Sequence, residues 1–299
     1  GFEERITRAV NNIWIINTHE HIRPEEEMLE HKKEEKYDFS YLFQIYISDD
    51  LRSAGYNAQV QQLVNNKGLP IKDRWNIFEY FWNVTRNTGY AREVIITVRD
   101  LYGIDELNAE TVEELSRKIN DSCQPGWYKK VLKDKARIDV SILDIGHVKP
   151  DNELFYHVER FDHFIHVFTG GEMKGLGKEY GIEVAALSDY EKTLEKAFRE
   201  GLDYGMIGVK SALAYNREIY FRNESRSKAE EVFNKLFSER EKIYDFKYVK
   251  PLQDYMMHLV LDLAGKHELP VQIHTGLHAG GRNEIRNSKP TLLTNLFNE

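Results

Sequence analysis

The sequence predicts an α/β fold, a (β/α)₈ barrel, because short apolar segments alternate with amphipathic helical patterns. Five segments have the length and composition of buried parallel strands, and each ends in turn residues. These segments are Ile13–Thr18, Ile138–Leu143, Phe161–Phe168, Met206–Lys210 and Pro270–His274. Helical patterns separate the later segments, as in the capping box at Ser188 that continues through Leu194 and Phe198. The first strand is not followed by Gly-x-Gly-x-x-Gly, which disfavours the alternative, a doubly wound sheet that binds a dinucleotide.

A long stretch separates the first two strand segments, and its pattern is helical. The aromatic side chains between Trp75 and Tyr90 are too dense for a free linker, and a second capping box begins at Thr111. We therefore predict one barrel domain over 1–299, with a helical insertion at 24–120 after the first strand.

Composition excludes several classes of protein. The formal net charge of -8 disfavours a nucleic-acid-binding surface. Cys123 is the single cysteine, so no intrachain disulfide can form, and we expect a reducing, cytoplasmic location. No apolar run reaches the length of a membrane span, and the first residues lack a signal-peptide pattern, so we expect no membrane partner.

Two histidines close the first strand segment. His19 and His21 are spaced i, i+2, and strand side chains alternate between faces, so both point the same way, with Asn17 one step behind. Neutral imidazole is a good ligand for zinc and iron. His274 follows the fifth segment, and parallel strands would bring it to the same rim of the barrel. The sequence therefore predicts a divalent metal, zinc first and manganese or iron as alternatives, on these three histidines.

The segments Asn17–His21 and Leu269–Gly276 resemble the first and fifth strands of the amidohydrolase superfamily, in its amidohydrolase-2 group. That group includes uronate isomerases and aminocarboxymuconate-type hydrolases and decarboxylases. Asp50–Tyr56 and Tyr102–Leu107 are similar to the uronate-isomerase-like branch. The resemblance implies metal ligation by His19, His21 and His274, although Asn17 stands where an aspartate is usual. The family's sixth-strand histidine and eighth-strand aspartate have no counterpart, so we expect the chain to be incomplete at its C-terminus.

Further residues near the strand ends are candidates for substrate contacts. Lys210 ends the fourth segment, where the resemblance implies either a carboxylated lysine that bridges two metals or, as we prefer, an ammonium that pairs with a carboxylate. Arginine binds carboxylates as a bidentate fork, so rim arginines suit an organic acid. The candidate substrate-binding residues are Lys210, Tyr215, Arg217, Arg282 and, through the resemblance alone, Arg52. His278 is the candidate catalytic proton shuttle.

Three functions remain open from the sequence. The first is a metal-dependent hydrolase that acts on a small acidic organic substrate. The second is a uronate-isomerase-like aldose–ketose isomerase of a sugar acid. The third is a catalytically inactive barrel that serves as a binding module. The expected partner is a small-molecule substrate, and homo-oligomerisation is left open.

Overall fold

The computed structural model describes residues 1–34, 36–146 and 153–298. Contacts divide the chain into two compact units. The first contains 1–15, 23–139 and 279–281, and the second contains 16–22, 140–278 and 282–299. Among the described residues, no helix combines the length and the apolar character that crossing a bilayer demands.

The first unit is helical. Its helices are α1 (Phe2–Asn11), α2 (Glu25–Glu34), α3 (Ile47–Ser53), α4 (Ala58–Asn65), α5 (Ile71–Thr85), α6 (Gly89–Tyr102), α7 (Val112–Ser122) and α8 (Trp127–Lys129), with a 3₁₀ turn at Phe39–Phe43 and a π-helical turn at Lys130–Lys135. The segment predicted as a helical insertion, 24–120, thus contains helices and turns and no strand among its described residues. Its core is aromatic, because Phe39, Trp75 and Phe78 are completely buried against one another.

In the described ranges, six short strands form two three-stranded sheets. The strands are β1 (Ile15–Glu20), β2 (Ile138–Leu143), β3 (Phe155–His157), β4 (Glu159–Arg160), β5 (Val209–Ser211) and β6 (Val271–Ile273). The order is β1-β2-β3 in one sheet and β4-β5-β6 in the other. The pairs β2/β3, β4/β5 and β5/β6 are parallel. The predicted α/β class is confirmed, while these six strands are fewer than a closed eight-stranded barrel contains.

A single residue, Val158, joins β3 to β4. Its backbone N–H donates to the carbonyl of Leu143 at 3.0 Å, whereas the N–H of Glu159 donates to Gly208 at 3.1 Å. Residues 155–160 therefore pair with β2 through their first half and with β5 through their second half. This extended segment lies between β2 and β5, the place that the sequence analysis gave to Phe161–Phe168.

The third predicted strand is wrong. Residues Asp162–Ile165 form a short helix, α9, directly after β4. The buried side chains Phe161, Phe164 and Ile165 are spaced i, i+3 and i+4, so one helical face buries all three. A short apolar run of this kind has no periodicity that separates a strand from a buried helix.

Helices α10 (Gly170–Glu179), α11 (Leu187–Asp203), α12 (Arg226–Ser238), α13 (Phe246–Lys266) and α14 (Thr294–Asn298) complete the second unit, with 3₁₀ turns at Leu213–Tyr215, Ile285–Ser288 and Pro290–Leu293. Its core is formed mainly by the buried faces of α11, α12 and α13, with Leu194, Phe233 and Leu252 completely buried. Burial of these apolar faces stabilises the unit.

The first strand also corrects the sequence analysis, which predicted that its apolar run is buried. Ile13, Trp14 and Ile16 are 59%, 54% and 61% exposed. An apolar β-branched run indicates a strand, but it does not establish that other chain segments cover both faces.

Candidate metal centre

His19 lies in β1, and His21 follows the last residue of that strand. Their rings meet edge to face, with centroids 4.6 Å apart and planes at 86°. The i, i+2 spacing thus brings the two imidazoles together as alternation along a strand requires. Asn17, one further step back, donates from its amide to Glu20 at 3.1 Å and to Ser141 at 3.4 Å.

Asp144 completes this group. It follows β2 directly, is 3% exposed, and has a carboxylate oxygen within 4.8 Å of the ligand atoms of both His19 and His21. Two imidazoles and one carboxylate are a donor set that divalent transition metals accept. Asp144 is not among the ligands predicted from the sequence, although a carboxylate directly after a parallel strand is a signal for the functional rim of a barrel.

The tautomer of His21 suits a metal ligand. Its Nδ1 lies 2.8 Å from the backbone carbonyl of Asp144. A carbonyl oxygen can only accept, so Nδ1 carries the proton and donates. The lone pair of Nε2 is therefore available, and the ring is held in orientation by the same residue that supplies the carboxylate. On these observations the residues present fit a divalent metal.

Arg160, at the end of β4, binds Asp144 as a bidentate fork. Its Nε donates to Oδ1 at 2.6 Å and its Nη2 to Oδ2 at 2.5 Å. Burial alone would raise the pKa of Asp144, but the hydrogen bonds from Arg160 and the charge of Lys210 lower it below its usual range. Asp144 is therefore ionised at neutral pH.

Lys210 lies against the same group, as a residue of β5 that is 6% exposed. Its Nζ is 3.5 Å from Nδ1 of His19 and 3.8 Å from Oδ2 of Asp144. Burial, and the charge of Arg160 beside it, lower the pKa of Lys210, although Asp144 opposes them. Burial and Lys210 also lower the pKa of His19, which favours the neutral imidazole that a metal needs.

Asp162 connects the ends of β4 and β5. Its Oδ2 accepts the backbone N–H of Ala212 at 2.6 Å. Burial raises the pKa of Asp162, although hydrogen bonds from Ala212 and Ser211 oppose that effect. This carboxyl group thus fixes the turn that follows Lys210.

His274 lies outside the group formed by His19, His21 and Asp144. The structure therefore does not bring the three predicted histidines into one group, and the third residue whose ligand atom lies within 4.8 Å of those of His19 and His21 is Asp144. Nε2 of His274 donates to the carbonyl of Leu277 at 2.8 Å. Burial lowers the pKa of His274.

Tyr215 and two histidines form a second cluster. The Tyr215 ring lies 4.7 Å from His274 and 4.5 Å from His278, and the two imidazoles are 5.4 Å apart. His278 is 6% exposed, and its two ring nitrogens are buried without a hydrogen-bond partner among the described residues. A neutral imidazole has one N–H donor and one acceptor nitrogen in either tautomer, so His278 has hydrogen-bonding capacity left to use.

Arg217, one of the predicted substrate contacts, lies inside the protein and is paired there with other side chains. Arg217 is 2% exposed and donates to Asp254 Oδ1 at 2.5 Å and to Gln253 Oε1 at 2.9 Å, both in α13. Its guanidinium also lies 4.8 Å from the ring centres of Phe221 and Phe246. Arg217 therefore belongs to the core beneath the loop that follows β5.

The other two candidate arginines lie on the surface. Arg52 belongs to α3 of the helical unit and pairs with Asp49. Arg282 is exposed, with a backbone φ of 67°, the left-handed region that non-glycine residues seldom adopt.

Comparison with known proteins identifies the fold. No protein-family model matches the sequence, and no curated protein matches it. A crystal structure of uronate isomerase from Thermotoga maritima superposes with a TM-score of 0.74 at 14% identity, over 98% of this chain and 70% of that one. Glucuronate isomerase from Caulobacter crescentus gives 0.67 at 15% identity, over 95% of this chain and 66% of that one. A protein described as a metal-dependent hydrolase, from Lactobacillus casei, gives 0.53 at 14% identity, over 98% and 66%. The chain therefore has the fold of these α/β structures.

Proposed function

We propose that this chain is a metal-dependent enzyme that hydrolyses a small, acidic organic substrate. The observation that carries the proposal is the group of His19, His21 and Asp144, whose ligand atoms lie within 4.8 Å of one another at adjoining strand ends. The fixed tautomer of His21 supports it, because an orienting hydrogen bond on the other ring nitrogen is characteristic of ligand histidines. Similarity in fold to the hydrolase from Lactobacillus casei is consistent with this chemistry.

A divalent ion at this group would lower the pKa of a bound water and polarise a carbonyl. The chain's own residues supply the rest. Lys210 places a largely buried positive charge beside the group, which favours an anionic substrate. His278 has ring nitrogens without hydrogen-bond partners among the described residues, so it can hold or move a proton at the substrate.

A second candidate is an aldose–ketose isomerase of a sugar acid. The two isomerases superpose with TM-scores of 0.74 and 0.67, against 0.53 for the hydrolase. In that reaction a proton moves between adjacent carbons, and His278 would be the group that carries it. The third candidate, an inactive binding module, would bind the small molecule without turnover.

Metal binding tests the proposal first. We expect zinc, added to metal-free protein, to raise the thermal midpoint, because a ligand at one hundred times its Kd adds about 2.7 kcal/mol to the free energy of unfolding. His19→Ala with His21→Ala should abolish this gain, whereas His267→Ala, an exposed histidine of the same unit, should preserve it. A midpoint gain that survives the double substitution places the metal elsewhere and refutes the proposed site.

Product analysis then separates the reactions. The zinc- and manganese-loaded protein is incubated with carboxylated esters, lactones and N-acyl amino acids in one series and with hexuronic acids in another. Hydrolysis products, followed by proton NMR, support the first candidate. Conversion of a uronate to its keto isomer supports the second, and saturable binding of these acids without turnover supports the third.

A further inference from the structure

The only carboxylate of the described metal group is already bound by a cation. Both oxygens of Asp144 accept from Arg160, at 2.6 Å and 2.5 Å, in the bidentate geometry that makes an arginine–carboxylate pair strong. A divalent metal that binds Asp144 would therefore bind a carboxylate whose two oxygens already accept hydrogen bonds from the Arg160 guanidinium.

The surroundings of that carboxylate are crowded with positive charge. Oδ2 of Asp144 lies 3.8 Å from Nζ of Lys210, in addition to its contact with Nη2 of Arg160. Adding a divalent ion here places a third cation beside one carboxylate. The repulsion between the divalent ion and these two side-chain cations is large, because the Asp144 side chain is 1% exposed and water screens charges poorly there.

Arg160 is the cation that can leave. Its side chain is 41% exposed, whereas that of Lys210 is 8% exposed. Arg160 also ends its strand, so its guanidinium can turn into solvent without disturbing the sheet. Lys210 lies within β5, and the backbone that follows it is fixed by the hydrogen bond from Ala212 to Asp162.

We propose that metal and Arg160 compete for Asp144, and that metal binding releases the Arg160 fork to bind the anionic group of a substrate. This inference rests on the proposed metal site and adds an order of binding to it. Metal binds first and frees the guanidinium, and a carboxylate then binds the freed guanidinium. Because linkage is reciprocal, the bound carboxylate must tighten the metal by the same factor.

A purely supporting role for Arg160 makes the opposite prediction. If the fork only orients Asp144 as a ligand, its loss weakens metal binding, as the loss of an outer partner of a metal ligand usually does. If the fork competes, its loss tightens metal binding. The sign of the change in zinc affinity therefore decides between the two roles.

The test is a zinc titration against a chelating dye. Arg160→Met should bind zinc at least tenfold more tightly than the wild type, with Arg160→Lys in between, because an ammonium cannot form the fork. Arg226→Met is the matched control. Arg226 forms a similar fork with Glu191 at 3.0 Å and 3.2 Å, is 46% exposed and lies in the same unit, so its loss should leave zinc affinity unchanged.

A measurement on the unaltered protein complements the variants. The Arg160 side-chain Nε–H signal, identified in ¹⁵N NMR spectra by its loss in Arg160→Lys, should shift when zinc is added. Benzoate, used as a carboxylate probe, should then bind at least fivefold more tightly with zinc than without it, and this gain should be absent in Arg160→Met.

The inference is overturned if folded Arg160→Met binds zinc with the same or a lower affinity than the wild type. It is also overturned if zinc does not shift the Arg160 Nε–H signal, or if the affinity for benzoate is the same with and without zinc. If zinc binds the wild type and the His19, His21 double variant loses it, these results refute the competition alone and leave the metal site intact. A wild type that binds no zinc at all refutes both proposals.

Discussion

Replacing Arg217 with methionine should destabilise the protein strongly and leave zinc affinity unchanged. The side chain is 1% exposed and donates to Asp254, to Gln253 and to the backbone carbonyls of Glu218 and Tyr220. Methionine keeps much of the apolar contact with the neighbouring aromatic rings, but it supplies no donor.

The size of the loss in free energy of unfolding depends on which partners Asp254 and Gln253 keep after Arg217 is replaced. Asp254 keeps the ammonium of Lys250 at 2.5 Å and the backbone N–H of Arg222 at 3.0 Å, so its charge is not left alone. Gln253 Oε1 and the two carbonyls lose a donor. Removing one partner of a buried ion pair costs about 3–5 kcal/mol, and the retained lysine favours the lower end, about 3 kcal/mol. For a domain of 150–250 residues, that corresponds to a fall in thermal midpoint of about 6–12 °C.

Urea unfolding followed by circular dichroism measures the loss, and the chelating-dye titration measures zinc affinity. Arg222→Met is the control, because its side chain is 68% exposed and its contact with Asp254 uses only the backbone. We expect that control to stay within about 0.5 kcal/mol of the wild type. A loss below 1 kcal/mol in Arg217→Met would refute the stabilising role, and a tenfold change in zinc affinity would connect Arg217 with the metal site.

Two further predictions concern stability. Burial alone would raise the pKa of Asp38, but hydrogen bonds from Arg74, Lys67 and Ser40 lower it. Its folded pKa is thus below its unfolded pKa, so its stabilisation is complete above the unfolded value and is lost as pH falls through the folded value. Asp38→Asn should therefore lose about 3 kcal/mol in urea unfolding at pH 7 and show a flatter loss of stability in acid; parallel curves would contradict this. At the start of α10, a Cβ on Gly170 would lie 2.5 Å from the carbonyl oxygen of Leu236, whereas one on Gly171 would lie 3.5 Å from its nearest neighbour. Gly170→Ala should cost about 1–3 kcal/mol and Gly171→Ala much less, and equal midpoints would refute the steric argument.

The sequence predicted those parts of the site that depend on local geometry. The i, i+2 spacing of His19 and His21 is a property of any strand, and the structure brings the two rings together. The contact between Asp144 and His21 joins residues that lie 123 positions apart in the chain, and no local pattern contains that information. Arg217 shows the converse, since its residue type suits both a substrate and a buried carboxylate, and only the packing of α13 distinguishes them.

The sequence also predicted those strands that have an apolar composition of their own, but not the strands that depend on pairing. Strands β2 and β6 lie within predicted segments, and β5 overlaps a third but ends one residue later, since their apolar runs are closed by turn residues. The segment that forms β3 and β4 escaped prediction because it contains charged and polar side chains, among them Glu159 and Arg160. Its strand conformation comes from pairing with β2 and β5 and not from its own composition.

That pairing also explains why two cations lie beside Asp144. In the parallel register of β4 with β5, Arg160 is the direct neighbour of Lys210. Neighbours in register point to the same face, and a slip of one residue would send them to opposite faces. Gly208 stands just before β5, where a Cβ would lie 2.9 Å from the carbonyl oxygen of Pro270 and 3.3 Å from Val158. A glycine at this point therefore permits the close approach of Pro270 and Val158. The pairing of β4 with β5 thus places the positive charges of Arg160 and Lys210 on one face, beside Asp144.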